Sequence, residues 1–119
     1  MDPRKEIGRI GEEAATRHLE DKGYQILSRN WSTRLGELDI IATDQEAIIF
    51  VEVRTTSSSQ FGYGFQSVDF RKQHKIRRLA LQFLQNQQLN SKPLRFDVVS
   101  VLLNQHKEIQ ELQHIPAAF

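Results

Sequence analysis

Gly36-Glu37-Leu38-Asp39-Ile40-Ile41-Ala42-Thr43-Asp44-Gln45-Glu46-Ala47-Ile48-Ile49-Phe50-Val51-Glu52-Val53-Arg54 is the stretch on which the fold turns. Ile, Val and Phe crowd its two halves, so residues 38–43 and 47–54 read as strands. Asp44-Gln45 between them is a short polar turn, which predicts an antiparallel hairpin. With the turn centred there, Thr43 faces Glu46, Ile41 faces Ile48, Asp39 faces Phe50 and Glu37 faces Glu52. Alternation along each strand puts all of these side chains on one face. That face is apolar near the turn and acidic at its far end. Asp39 and Glu52 become diagonal neighbours with Cβ atoms about 7 Å apart. Arg54 follows Glu52 on the same side.

Working outward, residues 4–22 read as a helix, with Ile7, Ile10, Ala14, Ala15 and Leu19 at helical spacing. Gly23 is a stop signal, and Asp2 with Pro3 suits the start. Residues 24–31 predict a strand, and 55–66, carrying Ser, Thr and Gly, a loop long enough to suggest function. A second helix is expected over 69–88, with an apolar stripe of Ile76, Leu79, Ala80, Phe83 and Leu84. Residues 94–103 form another strand and 108–115 a short last one. The order is αβββαβ(β). It predicts an α/β domain with a central mixed sheet flanked by two main helices, in one unit spanning 1–119.

Composition narrows the classes. The 119 residues carry 16 Lys+Arg against 15 Asp+Glu, so any nucleic-acid role must come from local clustering rather than net charge. There is no Cys, which excludes disulfides, thiolate nucleophiles and Cys-ligated metals. The longest apolar run, 47–51, is far short of a membrane span. The first residues lack the apolar stretch of a signal peptide, so a cytoplasmic location is the expectation.

Acids beside Ile41, Ile48 and Phe50 repel one another and resist desolvation. They need a cation, a proton or strong hydrogen bonds. A hard divalent metal such as Mg²⁺ is one solution. The plainer alternative is the solvent face of an ordinary hairpin, with Arg54 neutralising Glu52. A second cluster, Arg71, Lys72, Lys75, Arg77 and Arg78 with His74 among them, holds five cations in about two turns of helix. It suits phosphates with salt-dependent affinity, or else it is simply a solvated helix face. Phe61, Tyr63 and Phe65 in the long loop could stack on bases, although covering the core is the commoner use of such residues. The four histidines show no zinc spacing, and neither GxSxG nor a phosphate-binding GK[ST] loop occurs.

Gly8, Gly11-Glu12, Ala15, Leu19, Gly23-Tyr24, Asn30-Trp31, Gly36-Glu37-Leu38-Asp39, Phe50-Val51-Glu52-Val53-Arg54 and Arg95-Phe96-Asp97-Val98-Val99 together resemble the YraN family of small bacterial proteins. That family is similar to Holliday-junction resolvases and, more broadly, to restriction-endonuclease-like PD-(D/E)xK nucleases. The resemblance implies a restriction-endonuclease-like fold. It implies Asp39 and Glu52 as metal ligands, and Glu12 as the additional acid of resolvase-like members. The cofactor would be Mg²⁺ or Mn²⁺, and the partner DNA, structured or branched. A homodimer is also admitted.

Arg54 departs from the pattern, standing where the motif has Lys. Arginine can stabilise charge on phosphate but cannot act as a base. Lys72 or Lys75 could supply the missing duty. Glu37 is a ligand or an aligning partner of its neighbours, and Asp97 reads as structural.

Three functions compete. The first is a metal-dependent endonuclease, with Asp39, Glu52, Arg54 and Glu12 at the reacting centre and Arg71, Lys72, Lys75 and Arg78 on the backbone phosphates. The second is a nucleic-acid-binding module that kept the nuclease scaffold without turnover, and the third a protein-interaction domain.

Overall fold

Asp2 starts the first helix: its Oδ1 accepts the Arg4 N–H at 2.9 Å, and Pro3 fills a first-turn position that needs no N–H. In the computed structural model, which describes residues 2–57, 68–85, 87 and 92–119, α1 spans Pro3–Asp21. Gly23 ends it at φ 92°, where its N–H reaches the Glu20 carbonyl and the Tyr24 N–H reaches that of Leu19. This paired closure needs a residue at ease in the left-handed region. The chain continues as β1 Gln25–Thr33, β2 Gly36–Thr43, β3 Ile48–Ser57, α2 Phe70–Gln85, β4 Leu94–Leu103 and β5 Ile109–Ile115.

The strands form a single sheet in the order β1-β2-β3-β4-β5. Among the described residues only β3 and β4 pair in parallel. A parallel pair needs a crossover, and the segment carrying α2 supplies it. One face is closed by α2, whose Ile76, Leu79, Ala80 and Phe83 pack on Leu38, Ile41, Phe50 and Phe96. The other is closed by α1, whose Ala14, Ala15 and Leu19 pack on Ile40, Ile49, Val51, Val99 and Val101. The α/β class, the mixed sheet and the two flanking helices are as the sequence predicts, and they are compatible with the restriction-endonuclease-like architecture. No helix among the described residues is long and apolar enough to cross a membrane.

Three details differ from the sequence reading. The hairpin pairs Thr43 with Ile48 and Ile41 with Phe50, a shift of two residues. Asp44 causes it. Its Oδ1 accepts the N–H groups of Glu46 and Ala47, at 2.7 and 2.8 Å, and so closes a four-residue turn. A shift of two preserves which side chains share a face, but it moves Asp39 from a diagonal position towards one level with Glu52. Next, β3 runs on to Ser57, so Thr55–Ser57 belong to the sheet and not to a loop. Finally, α2 ends at Gln85. The loop aromatics Phe61, Tyr63 and Phe65 lie outside the described residues.

Gly11 sets how closely α1 approaches the sheet, because a Cβ at this position would fall inside the Thr55 side chain. In an ordinary helix Gly→Ala is favourable by about 1 kcal/mol. Here the overlap reverses the sign: Gly11→Ala is expected to cost about 1–3 kcal/mol in urea denaturation. A variant as stable as the parent would show that this contact does not fix the helix.

Candidate metal centre

The site lies where β2 and β3 part. Their ladder ends at Ile40↔Val51, whereas β1–β2 pairing continues to Gly36 and β3–β4 pairing to Ser57. Beyond the last pair the Asp39 carboxylate takes over, accepting the Val53 N–H at 2.9 Å. Strand alternation also breaks here. Leu38 packs in the α2-side cluster and Ile40, two residues on, in the α1-side cluster. On β1, the pairs Arg29↔Ile40 and Trp31↔Leu38 bracket Asn30, which has φ 52°. Asparagine is among the few residues that tolerate that conformation. The expected single acidic face is therefore replaced by a gap between two strands, open to both layers.

Side chains from four elements meet in it. Glu12 of α1 with Glu37 and Asp39 of β2 form a trio in which one carboxylate oxygen of each lies within 4.8 Å of the other two. Glu12 and Asp39 are partly buried and Glu37 is exposed. Glu52 of β3 is buried, only 7% exposed. It meets Lys72 of α2, whose Nζ lies 3.2 Å from Glu52 Oε1.

Burial is the main force pushing the Asp39 carboxyl up, to about 7, and the charges of Glu52 and Glu12 add to it. The Val53 N–H and Lys72 oppose it. Glu12 is likewise raised, first by burial and then by Glu37 and Glu52, against the opposing influence of Asn30 and Arg29. The donor set is therefore all hard oxygen, crowded and short of positive charge, which is the chemistry that suits Mg²⁺ or Mn²⁺.

The remaining residues divide clearly. Lys75 makes no ion pair with the acids among the described residues; its side chain lies over Gly36, in the space a Cβ there would need. Arg54 is paired across the sheet with Ser100 and makes no ion pair among the described residues. Arg71 and Arg78 are exposed on α2. Arg77 instead stacks over Phe96, 4.6 Å from the ring centre, so it is occupied in packing.

Asp97 belongs to a different network. It accepts two hydrogen bonds from Arg95, at 2.9 and 2.8 Å, and one from the Ala117 N–H at 2.9 Å, with His114 Nε2 at 2.7 Å. Burial alone would raise its carboxyl, but these partners outweigh it and hold the group at about 2. Sequence reading missed Asn30, whose side chain hydrogen-bonds Glu12, and it left Lys72 and Lys75 undistinguished. Asn30 carried a usable signal in its tolerance of positive φ.

A family model described as "Uncharacterised protein family UPF0102" matches residues 11–101. A UPF0102 protein of Pelotomaculum thermopropionicum is 43% identical over 99% of this chain and 98% of its own length. One from Moorella thermoacetica is 46% identical over 98% and 97%. Another, from Myxococcus xanthus, is 42% identical over 98% and 90%.

A carboxyl raised from 3.8 to about 7 favours the fold while protonated. Its contribution is full below the unfolded value and is lost as pH rises through about 7. In chelator, Asp39→Asn is therefore expected to melt about 5 °C above the parent at pH 8, with the difference shrinking towards pH 4. Equal melting at pH 8 would show that Asp39 bears no such burden.

Proposed function

Because the chain belongs to the uncharacterised protein family UPF0102, the YraN family of the sequence resemblance, we propose from its acidic site that it is a metal-dependent endonuclease acting on structured or branched DNA. The observation that carries this reading is the convergence of Glu12, Glu37, Asp39 and Glu52 on the gap between β2 and β3, with the Lys72 ammonium at its edge. Asp39, Glu12 and Glu37 would hold Mg²⁺ or Mn²⁺, with Glu52 adjoining. Bound there, the ion supplies the Lewis acid that polarises a phosphodiester and acidifies water.

The chain's own groups do the rest. The Val53 N–H holds one Asp39 oxygen and so fixes the direction of that carboxylate. Glu12, reaching in from α1, would hold the ion or orient water beside it. Arg54 cannot take a proton, so its role is to stabilise charge on the phosphate. Lys72, ion-paired with Glu52, would fill the place left open by Arg54. Arg71 and Arg78, exposed on the same helix as Lys72, together with Lys75, extend the positive field along a DNA backbone.

Cleavage of forked or four-way DNA with Mg²⁺ or Mn²⁺ tests this reading. The expected result is strand scission that disappears in chelator and in Asp39→Ala and Glu52→Ala. Intact duplex, forked and four-way DNA under both metals would overturn it. Salt-dependent binding without scission, gaining turnover on Arg54→Lys, would favour the binding-module reading instead.

A further inference from the structure

We propose that Lys72 is the built-in stand-in for the divalent ion, pairing with Glu52 until the metal arrives and then leaving Glu52 for a substrate phosphate. The inference rests on the metal-site reading above and adds an order of events to it.

Glu52 is the most buried of the four acids at the gap, and a carboxylate there needs a compensating charge. Among the described residues the ion pair it makes is with Lys72, at 3.2 Å. Glu52 stands outside the trio whose oxygens already lie within 4.8 Å of one another. It is nonetheless a neighbour of Asp39, whose carboxylate accepts the N–H of Val53, the next residue along β3, at 2.9 Å.

The Lys72 side chain remains 45% exposed, and its stem comes from the first turn of α2. Its backbone is fixed independently, by the Lys72 N–H donating to Asp69 Oδ1 at 2.8 Å. The ammonium can therefore swing away without disturbing the helix. A flexible four-carbon stem carrying a compact charge suits such an exchange.

A doubly charged ion beside Glu52 makes the ammonium redundant there and repels it. Released, it lies on the same helix as Arg71 and Arg78 and joins the phosphate-binding row. No covalent step is involved; one cation replaces another on the same carboxylate. Lys72 thereby couples filling of the metal site to the affinity of the helix for DNA.

Two measurements on the intact protein, both without DNA, test this. In calorimetric Mn²⁺ titration, Lys72→Gln is expected to bind Mn²⁺ about fivefold tighter than the parent. Lys72→Arg should stay near the parent value, and Lys92→Gln, which removes the same charge far from the gap, should also leave it unchanged. In amine acetylation read by mass spectrometry, labelling of Lys72 should rise with added Mn²⁺, with the midpoint of the calorimetric titration.

Unchanged or weaker binding by Lys72→Gln would overturn the exchange. So would Lys72 labelling that ignores the metal, because the ammonium would then stay in place. If neither the parent nor Lys72→Gln binds Mn²⁺, the metal-site reading itself fails and the exchange falls with it. Binding by the parent with no response at Lys72 overturns the exchange alone.

Discussion

The parting of β2 from β3 after Ile40↔Val51 is the constraint on which the rest of the molecule depends. A continuous sheet would sort side chains onto two faces and keep Glu12 of one layer from Lys72 of the other. The parted strands leave a gap that both layers reach. It is bounded on one side by β2, which stays paired with β1, and on the other by β3, which stays paired with β4. Asp39 stands at the apex and satisfies with its own carboxylate the Val53 N–H that the ladder has abandoned. An unpaired buried N–H costs about as much as a lost hydrogen bond, so the acid is part of the fold before it is part of any chemistry.

The arrangement costs stability at neutral pH, since crowded acids at a half-buried position resist ionisation together. Other parts of the structure offset it. The two apolar layers carry the bulk of the burial, with Leu19, Ile40, Ile41, Ile49, Phe50, Leu79, Val99 and Val101 almost wholly enclosed. Past the C-terminal end of α1, Asp97 is tied to Arg95, His114 and the Ala117 N–H, with Tyr24 holding Arg95 in turn. There a buried carboxylate has every partner it needs. The contrast between Asp97, held ionised, and Asp39, pushed towards its protonated form, separates an acid with every partner it needs from one short of positive charge.

Much of this was legible in the sequence because it rests on periodicity. The apolar stripe of Ile76, Leu79, Ala80 and Phe83 announced α2, and runs of Ile, Val and Phe announced the central strands. Asp39 and Glu52 were singled out because acids in apolar company are anomalous, and Glu12 only through the family resemblance. The exact pairing was not legible, since Asp44 closes a four-residue turn through its own side chain and the pattern of strand residues is the same for either register. Nor was the choice between Lys72 and Lys75. They lie three residues apart on one helix, and only the packing shows that one meets Glu52 while the other lies over Gly36.

The most direct test of the central claim is an anomalous-scattering map from crystals of the protein soaked in Mn²⁺. The account predicts one strong peak in the gap between β2 and β3, about 2.1–2.2 Å from oxygens of Asp39 and at least one of Glu12 and Glu37. A map with no peak there, at Mn²⁺ concentrations that saturate exposed carboxylates elsewhere on the surface, would contradict it.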